Sequence, residues 1–204
     1  LATTYQSQLD EVARGLVSIF SEAGQPPPSP LPTLTGLFTY TGTTIPASAT
    51  IVPGLAGTIK VNAAVDPAQG GNSTLIRDGG INGGAYVYNT TGAAGFTGRI
   101  SQLVNLMTAQ SSFDPAAGAS TSASIINFAT SSTSWLESKR SNASADSDYQ
   151  TTLLDRSNQA LSNVKGVNTD DEMAKMLDLE RSYSASAKLI STVDQMLQSL
   201  LAAV

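Results

Sequence analysis

The groups in this sequence that could do chemistry are carboxylates. Asp146 and Asp148 stand two apart, a spacing that sends their side chains to different sides of a helix. Asp170-Asp171-Glu172 stand side by side at what reads as a helix start. Neither set makes a facing acid and base; solvation of a helix surface and neutralisation of the positive end of a helix dipole account for both. The chain contains no His and no Cys, which removes imidazole bases, Ser-His-Asp and Cys-His pairs, thiolate nucleophiles and His-based metal sites. What remains to an enzyme is carboxylates or a Ser-Lys arrangement. The sequence therefore reads as a non-enzyme, with no catalytic, metal or cofactor-binding residue and no cofactor.

Three further segments invite a ligand and fall short of one. Asp78-Gly79-Gly80-Ile81-Asn82-Gly83-Gly84 resembles a calcium loop, but Gly80 stands where the third position needs Asp or Asn and Asn89 where the twelfth needs a carboxylate, so a flexible turn is the better reading. Gly92 to Gly98 precedes a helix without the Gly-Lys-Ser/Thr ending of a phosphate loop. Trp135, beside Leu136 in a helical stretch, reads as a packing group rather than a sugar platform. Asn72, Asn89 and Asn142 begin glycosylation-like triplets, which matter only in a host that glycosylates. A net charge of −5 and no basic cluster beyond Lys139-Arg140 argue against a nucleic-acid partner. No apolar run reaches the ~18 residues of a membrane span.

The elements that would position these groups follow from charge and punctuation. Of 204 residues only 13% are charged, low against the roughly 25% of soluble domains and common among secreted surface proteins. No charge falls between Glu22 and Lys60, and all nine Pro lie between Pro26 and Pro115. Leu1 already sits in a helical pattern, so the chain is expected to be a fragment of a longer one whose start and export signal lie upstream. Residues 1–24 form a helix with Tyr5, Leu9, Val12, Leu16 and Ile19 on a seam, expected to pack along a longer helix. Residues 25–35 are a Pro-rich, extended linker. Residues 36–96 are a small β-rich module with Gly-rich loops, its strands expected at Leu37–Thr41, Ala49–Val52 and Thr58–Asn62, with Ala85–Tyr88 a further candidate. Residues 97–118 hold a helix from Thr97 to Ala109 and a loop. Residues 119–204 are a long helical hairpin joined at Gly166, the one Gly after Gly118.

The last helix is the best specified. Met176, Leu179, Tyr183, Ile190, Val193, Leu197, Leu200 and Val204 recur at alternating steps of three and four, with Ser186 in the remaining slot; that is a heptad seam. Leu189, Met196 and Leu201 widen it, so the helix needs more than one neighbour. Asn168 or Thr169 offers an N-cap, and Thr169 and Glu172 have capping-box spacing. In the preceding helix Ile126, Ala129, Leu136, Ala143, Leu154, Leu161 and Val164 share a weaker seam. The fold class is α+β: long antiparallel helical bundle or coiled-coil arms of three helices with a small inserted β-rich module. The expected contact residues are Met176, Leu179, Tyr183, Ile190, Val193, Leu197, Leu200 and Leu201.

The run from Val164-Lys165-Gly166-Val167-Asn168-Thr169-Asp170-Asp171-Glu172-Met173 through Tyr183-Ser184-Ala185-Ser186-Ala187-Lys188 and Ile190-Ser191-Thr192-Val193-Asp194-Gln195-Met196-Leu197 resembles the C-terminus of bacterial flagellar axial proteins. It is most similar to the hook-associated protein 1 family, the first junction between hook and filament. Leu37-Phe38-Thr39 and Gly54 to Pro67 resemble that family's middle region. Thr169 replaces the usual Leu, and Leu179-Glu180-Arg181-Ser182 stands where a Gln-rich run is usual. Hook and distal-rod proteins share the terminal motif; the long helix before Gly166 favours the junction family. The resemblance implies a structural axial protein, exported through the flagellar apparatus and placed outside the cell. Its implied partners are the hook protein, the second junction protein and neighbouring copies of itself, with an export chaperone on the C-terminal helix, and neither nucleic acid nor membrane. A surface-exposed adhesion or glycan-binding module is the alternative of another class.

Overall fold

The computed structural model describes residues 1–42, 44–166 and 168–202. In chain order it contains α1 (Ala2–Ile19), β1 (Phe38–Thr39), α2 (Leu55–Thr58), β2 (Lys60–Val61), α3 (Leu75–Asp78), α4 (Gly98–Thr108), β3 (Ser111–Ser112), β4 (Ser122–Ala123), α5 (Ile125–Lys165) and α6 (Thr169–Ala202). The class is α+β: mostly helix, with β1 antiparallel to β2 through Phe38↔Val61 and β3 antiparallel to β4 through Ser111↔Ala123. The chain divides into two compact units, Leu1–Asn142 and Ala143–Val204.

In the first unit α1 is an axle wrapped by loops. Gln8, Asp10, Glu11, Ala13, Arg14, Gly15, Val17 and Ile19 are buried, whereas of the expected seam only Ile19 is; Tyr5, Val12 and Leu16 are half-covered and Leu9 is exposed. The apolar periodicity thus located the helix but not the face it buries. The reason lies in the wrapping segments, whose free backbone N–H groups need acceptors that α1 supplies. Asp10 accepts from Gly54 N (2.9 Å) and Ala56 N (2.8 Å), capping the short helix α2 from outside it. Glu11 accepts from Asp114 N at 3.0 Å and holds Arg14 in a two-point ion pair at 2.8 and 2.9 Å; Arg14 also donates to the Ser112 carbonyl at 2.7 Å. Gln8 bridges the Ala117 carbonyl and the Ser132 hydroxyl.

Apolar packing completes the unit. Phe113, Ala117 and Phe128 form the centre, with Val12, Ile51, Ala119 and Ala123 around them; the two Phe rings stack with centroids 3.9 Å apart. The start of α5 lies along α1: Tyr5 stacks on Trp135, and Ile125 seats over Gly15, where an added Cβ would stand 2.7 Å from Ile125 Cδ1. Ser124 caps α5, its hydroxyl accepting from Asn127 N.

Several local expectations are corrected. Residues 25–35 are not an extended spacer: Glu22 and Leu34 exchange backbone hydrogen bonds at 2.8 Å each way, closing the Pro-rich run into a loop, which Tyr86 Oη then grips at the Pro32 carbonyl. Ala49–Val52 is not a strand, because Ile51 N donates to Asp114 Oδ2 rather than to a ladder. Ala85–Tyr88 forms a 3-10 turn at Gly84–Tyr86 and a single bridge, Gly79↔Val87. The small ribbon of β3 and β4 had no period-two signal, since both strands are built of Ser and Ala. Helix α4 lies within a residue of its expected ends.

In the second unit the far part of α5 and all of α6 are helical as expected, yet every described residue from Glu137 to Ala202 is exposed. The seam residues expected on α6 are therefore exposed, where a closed bundle would bury them.

Candidate assembly interface

Helix α6 begins where its sequence supplies acceptors for the unpaired N–H groups of a first turn. Asn168 Oδ1 accepts from Asp170 N at 3.1 Å, and its Nδ2 donates to Asp171 Oδ2 at 3.1 Å. Asn168 is therefore the cap. Glu172 of the alternative box donates its N–H to the Asn168 carbonyl at 3.0 Å, and its carboxylate accepts from Lys175 Nζ at 2.9 Å. Asp170, Asp171 and Glu172 occupy the first turn, where negative charge opposes the helix dipole favourably. Their role is local and structural.

From that start the helix runs 34 residues without Gly or Pro. At 3.6 residues per turn the alternating steps of three and four lay Met176, Leu179, Tyr183, Ile190, Val193, Leu197 and Leu200 along one slowly turning ridge. Leu201 sits one position beyond Leu200 and extends that ridge at the end of the helix. All eight are exposed, from 53% at Val193 to 78% at Tyr183. Leu189 and Met196 broaden the ridge and are equally open. Val204, the last seam position expected from the sequence, and Val167 lie outside the described residues. The far part of α5 carries a second open stripe of Tyr149, Leu153, Leu161 and Val164, flanked by Leu154; Tyr149 and Leu153 were absent from the expected seam, although their four-residue spacing from one another would have revealed them. Single exposed apolar residues are ordinary, but two continuous stripes of this length are the mark of an interaction surface.

The groups that could have done chemistry are otherwise engaged. Asp78 is held by Arg77 through two bonds of 2.7 Å and by Asn89 Nδ2 at 2.8 Å, and these donors pull its carboxyl down to about 2. Asn89 is buried, bonding Asp78, Ala93 N and the Ala93 carbonyl, while Thr90 and Thr91 of its glycosylation-like triplet are exposed. The turn after Asp78 is not loose: Glu22, 2% exposed, accepts from Ile81 N at 3.1 Å, Asn82 N at 2.9 Å and Asn82 Nδ2 at 3.0 Å. Trp135 packs on Tyr5 with Lys139 Nζ 5.8 Å from its ring. No three His, Cys, Asp or Glu among the described residues come together in a way that could hold a metal ion. No described helix is long and apolar enough to cross a membrane.

Residues 159–203 match the family model described as flagellar basal body rod FlgEFG protein C-terminal. No curated protein and no solved structure matches the chain. The matched stretch covers the end of α5 and all of α6, and with them all eight expected contact residues. It supports a flagellar axial family for this chain without singling out one position along the axis.

Proposed function

We propose that this chain is a structural subunit of the bacterial flagellar axis, of the hook-associated protein 1 type, that joins hook to filament by helix–helix packing between subunits. The observation that carries the reading is the coincidence of two independent facts on α6. A ridge of heptad spacing is exposed along its length, and the same residues fall in the stretch that matches a flagellar rod family. Each Leu or Ile of the ridge gains about 1.5–3 kcal/mol when buried, so the ridge stabilises an assembled state that the lone chain lacks. The partners are neighbouring copies, the hook protein and the second junction protein, with the helices packing as a coiled-coil arm. Before assembly an export chaperone would cover the same ridge, a helix-in-groove contact. The chain would act outside the cell after passage through the flagellar export apparatus, as a structural component and not an enzyme.

Paired polar substitution, Ile190→Ser with Leu197→Ser, is expected to abolish filament attachment in motile cells while the purified chain keeps the urea-unfolding transition of its first unit. Normal attachment by the double variant would refute the proposal. The description of the matched family favours a second reading, a rod or hook subunit. Complementation separates them: recovery of filaments in cells lacking only their junction protein supports the first, and recovery in cells lacking a rod or hook subunit supports the second.

A further inference from the structure

Asn82-Gly83 is the only Asn-Gly pair in the chain. In such a pair the glycine nitrogen, unobstructed by a Cβ, can attack the side-chain amide carbon of the asparagine. Here both participants are committed elsewhere. Asn82 Nδ2 spends its two hydrogens on Glu22 Oε2 at 3.0 Å and on the Thr35 carbonyl at 2.9 Å. The Gly83 N–H donates to the Gly80 carbonyl at 3.0 Å. Glu22 is buried and anchored by its backbone bonds to Leu34, so its grip on residues 81 and 82 ties three separated segments together. Gly83 itself is exposed, with φ at 102°, which leaves the susceptible bond within reach of water.

We propose that Asn82 is a deamidation site latched by Glu22: it persists while the carboxylate grips the turn, converts when the grip opens, and once converted prevents the grip from closing again. In the reaction the Gly83 nitrogen gives its proton to solvent base and bonds to Cγ of Asn82. The Cγ–Nδ2 bond breaks as Nδ2 takes a proton back from the protonated base and leaves as ammonia, and a five-membered succinimide remains. Water then opens either ring carbonyl, producing aspartate or isoaspartate, so that water is consumed and ammonia released with no oxidant or reductant.

The product does not fit the site. Aspartate replaces Nδ2 and its two donated hydrogens with one acceptor oxygen, which faces the Glu22 carboxylate and the Thr35 carbonyl, acceptors themselves. Two carboxylates sharing one enclosed site repel. Arg99, whose charge Glu22 feels, does not relieve them, because it already donates to the Ser21 carbonyl and to Gln102 and lies 4.4 Å over the Tyr88 ring. Isoaspartate also lengthens the main chain at the residue before Gly83, displacing the N–H that Gly80 accepts.

The test compares the full chain folded in buffer with the same chain held in urea, both incubated at mildly alkaline pH, by mass spectrometry of the peptide carrying Asn82. Because modification proceeds only through the opened fraction, conversion in the folded chain is expected to be at least about tenfold slower. Equal rates would overturn the latch. Folded Glu22→Gln should convert faster than the folded wild type. Asn82→Asp should unfold at lower urea than Asn82→Ala, and equal or greater stability of the aspartate would overturn the claim that the product blocks re-closure. Should these variants fail to fold, the wild-type comparison decides alone.

Discussion

Glu11 and Arg14 are almost wholly enclosed, at 0 and 3% exposure, and between them they satisfy a backbone N–H and a carbonyl of the segment from Ser112 to Asp114. Arg14 also lies 5.8 Å from the Phe113 ring centre, within cation–π range of the core. Removing one member of such a pair leaves its partner's charge dry and unpaired. Glu11→Ala is therefore expected to cost about 3–5 kcal/mol in urea unfolding of the first unit, far more than Glu137→Ala, whose bond to Arg140 is solvent-exposed. Asp78 gives a pH prediction. Its carboxyl is depressed to about 2 by Arg77 and Asn89, so its contribution is complete above the ordinary carboxylate value and is lost as pH falls through the folded value. The stability difference between wild type and Asp78→Asn should thus be constant near neutral pH and shrink between about pH 4 and 2. Asp114 and Asp66 are lowered too, each by hydrogen bonds from nearby groups, and push acid sensitivity in the same direction.

At the scale of elements, α1 and α6 show one sequence grammar used in two ways. Both carry apolar residues at steps of three and four. On α6 the ridge is bare; on α1 the loops close over the polar side and leave the apolar side half-open, because their backbone donors require carboxylate and amide acceptors. The crossing of α1 and α5 is set at Gly15, where Ile125 fits only for lack of a side chain. Gly15→Val adds volume at that closed contact and is expected to destabilise the unit by about 1–3 kcal/mol, read as a lowered urea midpoint. The Glu22 grip on residues 81 and 82 has the same character: an element boundary fixed by a side chain from a distant segment.

At the scale of the whole molecule, burial is confined to one unit. Among the described residues every one beyond Leu136 is exposed. A chain shortened to residues 1–142 is therefore expected to unfold cooperatively at the urea midpoint of the first transition of the full chain, within experimental scatter, by circular dichroism and by fluorescence of its single Trp. A large loss of stability in the shortened chain would show that the second unit contributes to the fold of the first.

The helices α1, α4, α5 and α6, the strand segments around Phe38 and Val61, a cap at Asn168 or Thr169 and the α6 ridge were legible in the residues themselves, because periodicity, capping and breakers act over a few positions along the chain. The resemblance to flagellar axial proteins was legible for the same reason: its motif is contiguous. The tertiary structure alone decided which face of α1 is buried, that the Pro-rich run folds back through Glu22 and Leu34, and that Gln8, Asp10, Glu11 and Glu22 are interior groups. Those outcomes depend on backbone donors brought to α1 and to Glu22 from up to 103 residues away, and a linear pattern carries no record of which distant N–H will need an acceptor.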